Sequence, residues 1–233
     1  MQKIDDKLQK VTERIAQAAI AADRNPQSVR LVAVSKTQSA AAIRQAYHAG
    51  QRLFGENYLQ EALDKQEELA DLNDIEWHFI GPIQSNKTRP IAECFAWVHS
   101  VDRVKIAQRL NDQRPEDLPP LNICIQVNVD DEETKAGVAI DELNVLVLAI
   151  QAFPRLRLRG LMAIPAASNN QDQQQHAFRK LANAKGQYAF MDCLSMGMSG
   201  DLESAIAEGA TFVRVGTDIF GMRVNLTNKE RVL

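Results

Sequence analysis

The chain has 233 residues, of which 45% are apolar and 24% charged. That mix is the ordinary globular one and excludes disordered, collagen-like and low-complexity classes. Its 27 basic and 30 acidic residues are interspersed and leave a net charge of −3, so no overall basic field exists to release counterions from a nucleic acid.

In chain order, apolar residues at Ile4, Leu8, Val11, Ile15, Ala18 and Ala19 predict a helix from Ile4 to about Ala22, stopped by Asn25-Pro26. The nearly continuous run Arg30–Ser35 predicts a strand covered on both faces. After Lys36-Thr37-Gln38-Ser39 an alanine-rich helix is expected to Gly50. Arg52–Phe54 reads as a strand and Glu56–Asp71 as a helix. Glu76–Ile80 is a strand, followed by Gly81-Pro82 and a helix from Ser85 to Cys94. Ala96–His99 is a strand, and Asp102 caps a helix to Gln113.

Pro115–Pro120 is a loop, and the Asp112–Pro120 segment is the best candidate for a linker between domains but short enough to be a loop. Asn122–Asn128 is a strong strand, Val129–Val138 a polar loop, and Asp141–Ala152 a helix. Leu156–Met162 is a strand, and a glutamine-rich stretch leads into a helix over Gln173–Gly186. Cys193–Ser195 is a short strand, Ser199 caps a helix to Glu208, and Phe212–Val215 is the last strand, followed by Gly216-Thr217 and a short helix. Eight strands alternate with helices, with no hairpin signal between them. Alternation requires parallel pairing, because a parallel return needs a crossover. A single (β/α)8 TIM barrel over residues 1–233, with an extra N-terminal helix, is the economical architecture; a doubly wound open sheet is the alternative.

The three cysteines, Cys94, Cys124 and Cys193, form no CxxC or Cys/His cluster and read as reduced thiols. The longest apolar run, Val145–Ile150, is far too short to span a membrane, and the charged N-terminus lacks a signal-peptide core. A cytoplasmic protein is expected.

In a (β/α)8 barrel the active site lies at the C-terminal ends of the strands. Lys36 follows the first strand directly. Partly desolvated there, its amine becomes a nucleophile for a carbonyl; otherwise it is a solvated lysine at a strand end. The turns Gly197–Gly200 and Gly216-Thr217 follow the seventh and eighth strands, where such barrels often bind phosphate. The competing reading makes Ser199 an N-cap and the glycines mere turn formers. Asp201 and Asp218 place carboxylates in the same two helix starts, where they would repel a phosphate unless turned outward. Gly197-Met198-Ser199-Gly200-Asp201 lacks the last glycine of a GxSxG elbow. The histidines His48, His78, His99 and His176 show no metal spacing; only His78 falls near the presumed site, where a hydrogen-bonded structural role is the plainer reading. Ser85–Arg89 is polar and basic enough to contact an anion or to be a surface helix start.

With these features placed, the sequence resembles the pyridoxal phosphate homeostasis protein family. The resemblance is carried by Leu31–Thr37, Phe54–Tyr58, Trp77–Lys87, Leu194–Ser199 and Val213–Gly221, in order and over essentially the whole chain. It implies a barrel like the N-terminal domain of alanine racemase. It also implies pyridoxal 5'-phosphate bound as a Schiff base on Lys36, with Arg214 facing the pyridine nitrogen, Ser199, Gly216 and Thr217 holding the phosphate, and Asn57 beside the ring. The expected cofactor-binding set is Lys36, Asn57, His78, Met198, Ser199, Arg214, Gly216 and Thr217, with no catalytic residue and no metal. Asp218 departs from the family, which usually has a small uncharged residue there.

The expected function is a carrier or regulator in pyridoxal phosphate (vitamin B6) homeostasis and supply, acting indirectly on amino-acid and keto-acid metabolism. It is expected to be a monomer that hands cofactor to apoenzymes, without nucleic-acid or membrane partners. An arginine at the pyridine nitrogen disfavours its protonation and weakens the ring as an electron sink. A racemase also needs a second base, supplied in alanine racemase by a tyrosine from a second domain, which this chain is not expected to contain. The alternatives are a weak pyridoxal phosphate-dependent amino-acid racemase and a barrel holding another phosphorylated ligand without a covalent bond.

Overall fold

A computed structural model describes residues 3–130 and 136–221. Glu132–Lys135, part of the expected polar loop, and the tail after Arg223 lie outside the described residues. The eight strands are β1 (Arg30–Val34), β2 (Leu53–Glu56), β3 (Glu76–Phe79), β4 (Trp97–Val101), β5 (Leu121–Gln126), β6 (Leu156–Met162), β7 (Cys193–Ser195) and β8 (Phe212–Val215). All neighbours are parallel, and β8 returns to β1 with Arg30 opposite Phe212 and Ala33 opposite Val215, which closes the barrel. The architecture is a TIM barrel.

The helices are α1 (Ile4–Ala21), α2 (Ala40–His48), α3 (Leu59–Glu68), α4 (Thr88–Cys94), α5 (Val104–Gln113), α6 (Leu143–Gln151), α7 (Gln171–Gly186), α8 (Leu202–Ala207) and α9 (Thr217–Phe220). The extra N-terminal helix α1 buries Leu8, Val11, Ile15 and Ala19, one stripe at helical spacing, and packs across α8 and α9. Among the described residues, no helix is long and apolar enough to cross a membrane.

The main core lies between the strands and the ring of helices. A second, smaller cluster fills the barrel interior: Val32, Trp97, Cys124, Met162, Cys193 and Phe212. The β6 strand passes closest to its neighbour at Gly160, where any side chain would collide with the Cys193 carbonyl.

Several expected boundaries shift for physical reasons. Glu56 ends β2, fully buried, and does not begin α3; its Oε1 is held there by Ser35 and Lys65. His99 sits in the middle of β4, which runs on to Val101. The expected helix from Ser85 divides into a 3₁₀ turn, Ser85–Lys87, and α4. Ser199 does not cap α8: Asp201 is the capping position, and its carboxylate accepts the Met198 N–H at 2.5 Å.

Candidate functional site

Four neighbouring units, β7, β8, β1 and β2, converge at the C-terminal mouth. Their exits carry Ser199, Gly216-Thr217, Lys36 and Asn57 respectively. Ala33 pairs with both Val215 and Phe54, so the Lys36 exit lies between the Gly216 and Asn57 exits. At the closest approach, a Cβ on Gly216 would lie 3.1 Å from the Val34 carbonyl, so glycine there lets the β8 turn press against β1.

Lys36 is half-buried, and its neighbours are held from outside the mouth. Ser35 Oγ donates to Glu56 Oε1 at 2.7 Å, and the Thr37 N–H donates to Glu61 Oε1 at 2.5 Å. Lys65, only 5% exposed, joins these anchors: its Nζ donates to the Ser35 carbonyl, Glu56 Oε1 and Glu61 Oε1 at 2.8, 2.8 and 2.5 Å. Burial raises the Glu56 carboxyl above its ordinary range despite Lys65 and Ser35. Thr37 itself has φ +64°, a left-handed conformation that a β-branched residue rarely adopts. The peptide after Lys36 is thus fixed in a strained form by a buried ionic cluster.

Asn57 follows Glu56 directly, and its Oδ1 is buried without a hydrogen-bond partner among the described residues. A buried acceptor left open in this way suits a ligand donor. Gly81 must be glycine beside it, since a Cβ there would strike the Asn57 carbonyl.

Arg214 points into the barrel from β8 and is 4% exposed. It donates to Ser195 Oγ at 2.7 Å and to the Ala163 carbonyl at 2.9 Å. Burial lowers its pKa to about 10, so it stays charged at neutral pH. Below it runs a chain of polar contacts down the barrel axis. Ser195 Oγ lies 2.7 Å from His99 Nδ1, His99 Nε2 lies 2.8 Å from His78 Nδ1, and His78 Nε2 lies 3.0 Å from Glu76 Oε1. Arg30 closes the far end, donating to Glu76 at 2.8 Å.

The chain has one direction. Arginine can only donate, so Ser195 accepts from it and turns its own hydrogen to His99. His99 then carries its proton on Nε2 and donates to His78, which donates from Nε2 to Glu76. Burial lowers the pKa of both imidazoles, His99 most strongly, and keeps them neutral. Burial alone would raise Glu76, but the His78 bond and the Arg30 charge outweigh it and hold its carboxyl below the usual range.

Of the expected site residues, Lys36, Asn57, Ser199, Gly216 and Thr217 come together at the mouth, with Arg214 below them. Met198 lies on the rim, 38% exposed, with its N–H already given to Asp201. His78 is not at the mouth; it is buried in the interior, stacked on Trp97, two hydrogen bonds beyond Ser195. The first N–H groups of α9 have no acceptor within their helix, which leaves Gly216 and Thr217 as donors. The question raised by Asp218 has a structural answer: its carboxylate is turned to Arg14 of α1, 2.6 Å away.

Sequence reasoning missed Arg14 and Lys65, and gave no role in the site to Glu56, Ser195 and His99. Lys65 carried a signal, since it occupies the apolar stripe of α3 with Ala62 and Leu69. Among the described residues no group of side chains is arranged to hold a metal. Cys124 and Cys193 meet in the interior as free thiols, hydrogen-bonded with sulfurs 3.6 Å apart, and burial pushes the Cys124 thiol well up, away from reactivity.

Residues 7–224 match the family model described as "Alanine racemase, N-terminal domain". The chain is 59% identical to a pyridoxal phosphate homeostasis protein of Pseudomonas aeruginosa over 224 residues, covering 96% of this chain and 97% of that one. It is 51% identical to a protein of the same name from Escherichia coli over 229 residues, covering 96% and 98%. Among solved structures, PipY of Synechococcus elongatus, described with pyridoxal phosphate bound, is 41% identical. It superposes with a TM-score of 0.77, covering 89% of this chain and all of that one.

Proposed function

The chain belongs to the pyridoxal phosphate homeostasis protein family, and from that premise we propose that it binds pyridoxal 5'-phosphate as a Schiff base on Lys36 and serves its homeostasis and supply. The observation that carries this reading is the contiguity of β7, β8, β1 and β2, which gathers Ser199, Gly216-Thr217, Lys36 and Asn57 around one mouth above Arg214. The residues fit the group: a half-buried lysine, an open buried acceptor on Asn57, two glycine-containing turns at helix starts and a fixed cation at the base.

When bound, the cofactor supplies an aldehyde that condenses with amines and a ring that stabilises adjacent negative charge. The chain's own residues hold and mute it. Lys36 supplies the amine, presented by the Ser35, Glu56, Glu61 and Lys65 cluster. Ser199, Gly216 and Thr217 donate to the phosphate. Arg214, charged and held by Ser195 and Ala163, donates to the ring nitrogen and opposes its protonation, which favours storage over turnover. The protein is therefore a non-catalytic carrier, acting in the cytoplasm as a monomer that passes cofactor to apoenzymes and so influences amino-acid and keto-acid metabolism indirectly. The reading of residues 1–233 as one functional unit follows.

Titration of the purified protein with pyridoxal 5'-phosphate, followed by visible absorbance, tests this. A saturable band is expected in the native protein and none in Lys36→Ala. Equal bands in both overturn the assignment. Racemase turnover that exceeds a cofactor-only control and depends on Lys36 overturns the carrier reading.

A further inference from the structure

We propose that Arg14, on the helix outside the barrel repeat, is the positioning residue of the phosphate-holding turns. This rests on the reading of those turns as the phosphate site. A single guanidinium here binds three elements at once. Its Nε and Nη2 donate to the Glu203 carboxylate at 2.9 and 3.1 Å, its Nη1 donates to Asp218 at 2.6 Å, and its Nη2 also donates to the Ser199 carbonyl at 3.1 Å. Glu203 stands in the first turn of α8 and Asp218 in the first turn of α9. These are the two helix starts where a carboxylate opposes a phosphate dianion most strongly.

Arg14 acts on the turns in two ways. It draws both carboxylates onto α1 and offsets their charge, so that an anion beside Ser199 and Thr217 meets donors. It also fixes the orientation of a peptide. In a planar trans peptide the N–H of the next residue points opposite to the carbonyl. Anchoring the Ser199 carbonyl on α1 therefore turns the Gly200 N–H away from α1. The planar fork of arginine reaches a carboxylate with two atoms while a third holds Asp218; lysine, a point charge, does not reproduce this. Partly exposed ion pairs contribute little to global stability, so the loss of Arg14 falls on the ligand and leaves the fold intact.

The test compares pyridoxal 5'-phosphate with pyridoxal, which has the same aldehyde and ring but no phosphate. Both are titrated into native protein, Arg14→Ala, Arg14→Lys and the double variant Arg14→Ala/Asp218→Asn at low salt. Arg14→Ala is expected to weaken the phosphorylated aldehyde by about tenfold, the size of one lost charge-assisted hydrogen bond, and pyridoxal by less than about twofold. Arg14→Lys is expected to fall between, and Asp218→Asn to recover part of the loss, since one carboxylate is removed while Glu203 and the Ser199 carbonyl remain without their partner. Equal weakening of both ligands, or no weakening of the phosphorylated one, overturns the role of Arg14. If native protein binds both ligands equally well, the phosphate reading of the turns fails, and the proposal with it.

Discussion

The Ser195 hydroxyl accepts a hydrogen bond from the Arg214 guanidinium at 2.7 Å, and this contact joins the mouth of the barrel to its interior. TIM-barrel interiors are mostly filled by branched aliphatic side chains. Here a file of polar groups runs from Arg214 through Ser195, His99 and His78 to Glu76. Ser195→Ala removes the one group that joins both halves and leaves buried polar atoms on each side unpaired. A loss of about 1–3 kcal/mol is expected in urea denaturation, together with a shifted absorbance of bound cofactor. Unchanged stability would show that Ser195 does not bridge Arg214 and His99.

The two buried imidazoles set a pH dependence. Both have folded pKa values below the ordinary 6.5, so between the folded value and 6.5 the unfolded chain binds more protons. Stability is therefore full above the unfolded pKa and falls as pH drops through it. Urea denaturation from about pH 7.5 to about pH 5.5 should show a decline. His99→Gln should be less stable at the upper end and decline less steeply; an identical slope would contradict neutral, buried imidazoles.

Lys65 is buried with Glu56, which is fully enclosed. Removing one partner of such a pair leaves an uncompensated charge, at a cost of about 3–5 kcal/mol. Lys65→Met is expected to destabilise by that order, and Glu56→Gln in the same chain to recover part of it. The double variant should still bind cofactor more weakly than native protein, because the Ser35 carbonyl loses its Lys65 donor and Glu61, which accepts the Thr37 N–H, is no longer held by Lys65. If Lys65→Met alone leaves both folding and cofactor binding intact, the cluster does not present Lys36.

Thr37 bears left-handed strain at φ +64°. Thr37→Gly is expected to stabilise the chain by under about 1 kcal/mol, the left-handed penalty less the added chain entropy. It should also loosen the peptide after Lys36 and weaken cofactor binding. A variant that is both more stable and tighter-binding would show that the strain has no part in the site.

The barrel was legible because its signal is local: apolar runs such as Arg30–Val34 and Leu156–Met162, each followed by a helical stripe, force parallel pairing. Lys36 and the two glycine turns were legible because strand exits can be counted along the chain. The partners of these residues were not. Arg14 is 204 residues from Asp218, and Ser195 is 96 from His99. Only barrel closure and the docking of α1 bring them together. Ser199 was misplaced as a cap because serine and aspartate both suit that position, and only the folded backbone shows that α8 starts at Leu202, which puts Asp201 there.

The most direct test of the account is to load the protein with pyridoxal 5'-phosphate, reduce it with borohydride and map the modified peptide by mass spectrometry. The account predicts a single stable adduct on Lys36, absent from Lys36→Ala. An adduct confined to another lysine, or no adduct in a protein that still retains the cofactor, would contradict it.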